Sequence, residues 1–309
     1  MLSLGTCVRS APGRKTLLLI AMPLLVALAV WAGSVEGGEP PEPLRIGVSH
    51  TLFADVPDLL IKAGLAPLRA LIENQTGQKA DFAMMKDTDK LAEDLSNGKL
   101  TVAVFPGYEF AWARAKHPQL NPLVIAVNQQ ADQRALVMVR SDSPAATFAD
   151  LKNQTVALPR GVREHCRLFL ERHCQSQCKE TPRFFSEICS APNDEEALDD
   201  VVDSTVHSAV VDGVAVDCYQ KRKPGRFAQL KVLTKSESFP ATVIAFRKGG
   251  LDDATLSRFR ESLLSAKTTP RGRQVLQLTK LTAFEPVPKD YDKTLVAIGK
   301  AYPPPTDKK

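Results

Sequence analysis

Leu95-Ser-Asn-Gly-Lys-Leu-Thr-Val-Ala-Val-Phe-Pro-Gly-Tyr108 carries a helix end, a turn, an apolar run and a helix start in fourteen residues. A polar helix end closes on a Gly turn at Asn97-Gly98. Thr101–Phe105 is then a short, continuous apolar run, the pattern of a strand buried on both faces. Pro106-Gly107 interrupts it, and Gly107 to Lys116 predicts a helix that begins beside the carboxyl end of that strand. Helix, buried strand, helix within so few residues is the unit of a layered α/β protein with mainly parallel sheets.

The same alternation extends in both directions. Upstream, Leu44-Arg-Ile-Gly-Val-Ser49 predicts a strand, and Pro57 to Asn74 a helix with Leu59, Leu60, Ala63, Leu65, Leu68 and Leu71 at helical spacing. Gly77 ends that helix, Lys79–Ala83 is a second strand, and Thr88–Asn97 a helix capped by Asp87 or Thr88. Downstream, strands are expected at Leu123–Val127, Ala135–Val139, Thr155–Leu158, Arg183–Phe185, Ser208–Asp212, Leu230–Leu233 and Ala241–Phe246. A helical turn is expected at Phe148–Leu151, and helices at Arg163–His173, Asn193–Asp203, Asp252–Ser265, Pro270–Leu278 and about Asp290–Ile298.

Composition sets the outer limits. The chain has 309 residues, 44% hydrophobic and 24% charged, which excludes long disorder, collagen and coiled coil and leaves room for two cores. A net charge of +5 is too small for a nucleic-acid footprint, so no nucleic-acid partner is expected. At the start, Arg9, Arg14 and Lys15 precede the apolar run Thr16–Trp31, followed by Ala32-Gly33-Ser34. A basic segment, an apolar core and small residues describe a secretory signal peptide, read as residues 1–38, with an uncleaved N-terminal anchor as the alternative. Its removal lowers the net charge to +3, because three basic residues and one acidic residue leave with it. An exported, periplasmic protein is expected.

Of the six cysteines, Cys7 precedes the apolar run. The other five, Cys166, Cys174, Cys178, Cys189 and Cys218, all fall in the central part of the chain. In an exported protein they are disulfide candidates, and their odd number leaves one over. A rarer arrangement would gather His165, Cys166, His173, Cys174 and Cys178 about a metal. No cofactor motif, nucleophile–base arrangement, Walker loop or HExxH sequence occurs, so no enzyme is expected.

Several segments, in order, resemble the phosphate/phosphite/phosphonate solute-binding family of ABC transporters, related to type II periplasmic binding proteins. They are Leu44–Val48, Ala66-Pro-Leu-Arg-Ala-Leu71 with Thr76-Gly77, Leu95–Tyr108, Val139-Arg-Ser-Asp-Ser143 with Phe148-Ala-Asp-Leu-Lys152, Ala209-Val-Val-Asp-Gly-Val214, and Ser236-Glu-Ser-Phe-Pro240. The resemblance implies two α/β lobes joined by two crossover strands, Leu136–Arg140 and Thr242–Arg247, with ligand in the cleft. The first lobe would comprise residues 39–140 and 241–309, the second residues 141–240.

It also implies contacts. Tyr108 and Asp212 match the family's tyrosine and acidic positions, and the loop Ser49, His50, Thr51 lies where hydroxyl donors are usual. Tyr108 also reads as a core aromatic, and Asp212 as a helix cap. The family's phosphonate binders carry a Ser/Thr-rich turn after the strand corresponding to Thr155–Leu158, but here that turn is Pro159-Arg-Gly-Val-Arg-Glu-His165. Arg160 and Arg163, with the amides of Gly161 and Val162, are the replacement donors; the alternative is that the arginines face solvent or pair with Glu164. The implied function is monomeric capture of a small oxyanion for a membrane ABC permease. The alternatives are a ligand-sensing module for a signalling partner and an exported metal or thiol-redox protein.

Overall fold

The computed structural model describes residues 43–53, 56–128, 133–160, 163–178, 184–279 and 281–304. The signal-peptide reading and Cys7 lie outside these residues. Among the described residues no helix is long and apolar enough to cross a membrane.

Strands β1 (Leu44–Ser49), β2 (Ala80–Met85), β3 (Val102–Phe105) and β4 (Leu120–Val127) begin a first sheet. The chain then builds a second sheet from β5 (Ala135–Arg140), β6 (Thr155–Pro159), β7 (Glu187–Ala191), β8 (Ser208–Asp212) and β9 (Leu230–Lys235). It returns to the first with β10 (Thr242–Arg247) and β11 (Ala283–Glu285), giving the orders β11-β4-β10-β3-β1-β2 and β7-β6-β8-β5-β9. The fold is the expected two-lobed α/β arrangement. β1 runs parallel to β2 and β3, and β6 parallel to β7 and β8, so within each lobe these strands end on one edge.

Helices connect the strands: α1 (Asp58–Thr76), α2 (Thr88–Ser96), α3 (Gly107–Lys116), α4 (Glu164–Cys178), α5 (Asp194–Val202), α6 (Gly213–Arg222), the single turn α7 (Pro224–Phe227), α8 (Asp253–Leu264), α9 (Pro270–Leu278) and α10 (Tyr291–Ala301). Their ends follow local chemistry. Asp87 accepts from the Lys90 amide at 3.0 Å and Asn193 from the Glu196 amide at 2.9 Å, while Gly77 takes the left-handed conformation, φ +73°, that stops α1.

One expectation needs correction, the strand at Phe184 and Phe185. The crossover strands Leu136–Arg140 and Thr242–Arg247 are both central sheet members, the first between β8 and β9 and the second between β3 and β4. Just outside these strands, Gln133 and Phe239 exchange backbone hydrogen bonds. Phe184 and Phe185 are not a strand. Phe184 stacks on Phe148 and Phe185 meets it edge-on, and the strand follows at Glu187. β11, only three residues long, gave no sequence signal of its own and exists by pairing with β4.

Candidate binding site at the lobe junction

In the second lobe, three helices start at the carboxyl ends of parallel strands: α4 after β6, α5 after β7 and α6 after β8. Unpaired amides and aligned peptide dipoles make such an edge favourable for anions. Asp212, the last residue of β8, is buried, and its Oδ1 accepts the Val214 amide at 2.8 Å, capping α6. Its Oδ2 lies 3.1 Å from His165 Nε2 and 3.7 Å from Arg163 Nε. Burial pushes the Asp212 carboxyl up, but the approach of His165 and the Arg163 charge outweigh it and hold the group below its usual range. Across from it, burial and the Asp212 charge together raise Asp194, the first residue of α5.

The first lobe builds its wall differently. Ser49, buried at the end of β1, donates to Glu109 Oε2 at 2.7 Å. Glu109 sits in the first turn of α3 and is only 3% exposed. Burial raises its carboxyl above the usual range, against the hydrogen bonds of Ser49, Thr51 and Thr88. From the second lobe, Glu164 at the start of α4 is raised by burial too, with Arg167 opposing and the Glu171 and Glu109 charges adding to the effect. Tyr108 precedes Glu109 and is buried. Its hydroxyl has no hydrogen-bond partner among the described residues, and burial first, then the Glu109 and Glu164 charges, push its pKa well up.

Phe239, in the link between β9 and β10, joins the two walls. Its ring lies 6.3 Å from that of Tyr108 and 5.3 Å from that of His165. Gly107 is required at this contact, since a Cβ there would sit 2.1 Å from the Pro240 carbonyl oxygen.

The predicted contacts therefore divide. Tyr108, Arg163 and Asp212 come to the junction. Ser49 and Thr51 are nearby, but their hydroxyls serve Glu109; His50 is half-buried in the turn His50–Phe53. Arg160 is exposed, with its amide bonded to the Ala191 carbonyl at 2.8 Å, and Gly161 and Val162 lie outside the described residues. Sequence reasoning missed Glu109, Glu164, Asp194 and Phe239. The acidic residue following Tyr108 and the one following Arg163 were the available signals.

The metal grouping is not formed among the described residues. His165 faces Asp212, while His173 packs on Phe148 and Phe169, because eight residues along a helix advance about 12 Å and turn about 80°. Among the described residues no three ligating side chains converge, and the Cys178 side chain is outside them. No disulfide joins Cys166, Cys174, Cys189 and Cys218 to one another. The same 12 Å separates Cys166 from Cys174, beyond the roughly 7 Å that a disulfide spans. Burial keeps the Cys166 thiol well above its usual pKa, unsuited to redox chemistry. A separate cavity of about 560 Å³, lined by Arg140, Asp142, Asp150 and His207 among others, lies at the opposite end of β6 and β8.

The arrangement offers donors, from Arg163, His165, the Tyr108 hydroxyl and the helix starts, among several carboxyl groups.

Comparisons with known proteins bear on the fold and the family. No curated protein matches the chain by sequence. Among solved structures, XAC2383 from Xanthomonas citri bound to ATP has a TM-score of 0.58 at 17% identity, covering 84% of this chain and 97% of that one. PhnD1 from Prochlorococcus marinus in complex with methylphosphonate has a TM-score of 0.56 at 12% identity, covering 84% and 98%. PA3383 from Pseudomonas aeruginosa, a binding protein component of an ABC phosphonate transporter, scores 0.53 at 15% identity, covering 83% and 85%. At these identities the likeness concerns the fold. The sequence profile described as "ABC transporter, phosphonate, periplasmic substrate-binding protein" matches residues 54–291, most of the chain. The protein belongs to that family of periplasmic substrate-binding proteins.

Proposed function

We propose that the protein captures a small phosphorus oxyanion between its lobes and presents it to a membrane ABC permease. The observation that carries this reading is the buried Tyr108 hydroxyl without a partner among the described residues, on a side chain that shares the Phe239 ring with His165, beside Asp212 and Arg163. A buried hydroxyl left unpaired costs about 1–3 kcal/mol, which an oxyanion accepting its hydrogen bond would recover. Arg163 supplies charge, the helix starts supply amides, and Asp212, Glu109 and Glu164 accept from ligand O–H or N–H groups. In this reading residues 43–128 and 242–304 form one lobe and 135–235 the other, residues 1–38 are the export signal, and ligand favours the closed form by binding both walls.

The test is calorimetric titration and thermal shift of the exported form with methylphosphonate, phosphite, phosphate and ATP, with sulfate as control. Stabilisation by at least one phosphorus compound, at saturation about 2.7 kcal/mol for ligand at a hundred times Kd, is the expected result. No shift with any of them overturns the reading.

A further inference from the structure

The last described helix spans the lobe junction. Tyr291 and Leu295 of α10 pack with Phe110 and Ala113 of α3, whereas Ile298 and Tyr302 pack into the buried cluster that holds Val137 and Phe169 of the second lobe. Tyr302 is 3% exposed and is held on three sides. Trp112 Nε1 donates to its carbonyl at 2.7 Å, its hydroxyl donates to Glu237 Oε2 at 2.5 Å, and the Arg172 guanidinium carbon lies 4.8 Å from its ring centre. Arg172, on α4, also donates to Glu237 Oε1 at 2.7 Å. Glu237 belongs to the link between lobes, so one carboxylate ties α4 to the residue after α10.

The fourth side of Tyr302 is Phe239, with ring centres 4.6 Å apart. Phe239 is fully buried, and Tyr108 and His165, one from each wall, rest on its other surfaces. A buried aromatic ring with three ring neighbours has its rotamer set by them, because interiors are close-packed. Removing Tyr302 takes away the nearest of these three ring neighbours.

We infer that Tyr302 is a positioning residue for ligand capture: clamped by Glu237, Arg172 and Trp112, it fixes Phe239 and through it the facing pair Tyr108 and His165. The inference rests on the reading that the ligand binds between these walls. Tyr302→Phe keeps the ring stack and loses the bond to Glu237; Tyr302→Ala loses both.

The experiment uses the full mature chain, with methylphosphonate as probe in calorimetry and the His165 ring resonances, assigned by a His165→Asn variant, as a ligand-free readout. Phe239 shifts those resonances by its ring current. In Tyr302→Ala they are expected to move and affinity to fall more than about tenfold; in Tyr302→Phe they are expected to stay within reach of wild type and affinity to fall about three- to tenfold, one hydrogen bond's worth. Unmoved His165 resonances in Tyr302→Ala overturn the inference with or without ligand. Moved resonances with unchanged affinity overturn it also, leaving a structural role only. If wild type binds no probe while the resonances move, the functional reading fails and the positioning role stands.

Discussion

The two walls of the junction solve opposite problems. The second-lobe wall is made from the ends of three parallel strands, and its charges face one another: Asp212 caps α6 with one oxygen and meets His165 and Arg163 with the other. The first-lobe wall is inward-looking. Its hydroxyls, Ser49 and Thr51, serve the buried Glu109, and the Tyr108 hydroxyl has no partner among the described residues. The cations and helix starts lie on the second-lobe wall together with Asp212, Asp194 and Glu164, while the first-lobe wall holds one buried carboxyl, Glu109, with its own hydroxyl donors. In the proposed reading, ligand discrimination depends on what the ligand offers these carboxyl groups.

The comparison can be broken most severely at Asp212. Asp212→Ala removes the cap, about 1 kcal/mol, and leaves the buried His165 ring without its acceptor, about 1–3 kcal/mol more. Chemical denaturation should show a loss of about 2–4 kcal/mol, and calorimetry a loss of binding. Asp212→Asn should retain the cap and lose the charge, so the two variants separate stability from binding. A next effect belongs to the seam between the walls. Gly107→Ala should cost about 1–3 kcal/mol by overpacking against the Pro240 carbonyl, read from the denaturant midpoint at constant m-value.

Tyr108→Phe sharpens the contrast, since it separates the two quantities. Its hydroxyl has no partner within the described protein, so the melting temperature should hold or rise, while affinity for methylphosphonate should fall about tenfold. A fall in melting temperature with unchanged affinity would place the hydroxyl outside the site.

The smallest effect is the pH dependence. Glu109 and Glu164 have raised folded-state values, so as pH falls toward the carboxylate range they protonate before ordinary carboxyls do. The negative field at the site weakens, and anion affinity should rise by a few-fold between pH 7.5 and 5. Their contribution to folding has the matching sign: it favours the fold at low pH and is lost as pH rises through their raised values. Asp212, lowered, contributes above its unfolded value and is lost as pH falls. Glu109→Gln should flatten the affinity profile measured by titration at several pH values.

Much of this was legible in the residues themselves. The alternation of apolar runs and helical periodicity, the caps at Asp87 and Asp212, and the placement of Tyr108 and Asp212 at strand ends depend on short-range patterns. Those patterns survive because burial enforces period and register locally. Arg163 was legible as a donor but not as Asp212's neighbour, because residues far apart in sequence meet only through the pairing of β6 with β8. Glu109 was passed over for a similar reason: its partner Ser49 lies 60 positions away.

What the sequence by itself determined, then, is the element order, the α/β class and the residues standing at the strand ends, since each follows from propensity and periodicity within a few residues. The tertiary structure alone decided where the chain changes sheet, which hydroxyls already serve a buried carboxyl, and that Phe239 and Tyr302 lie between the two walls. These depend on burial and on which distant groups satisfy one another, and an unpaired or unneutralised polar group is expensive only once water has been excluded from around it.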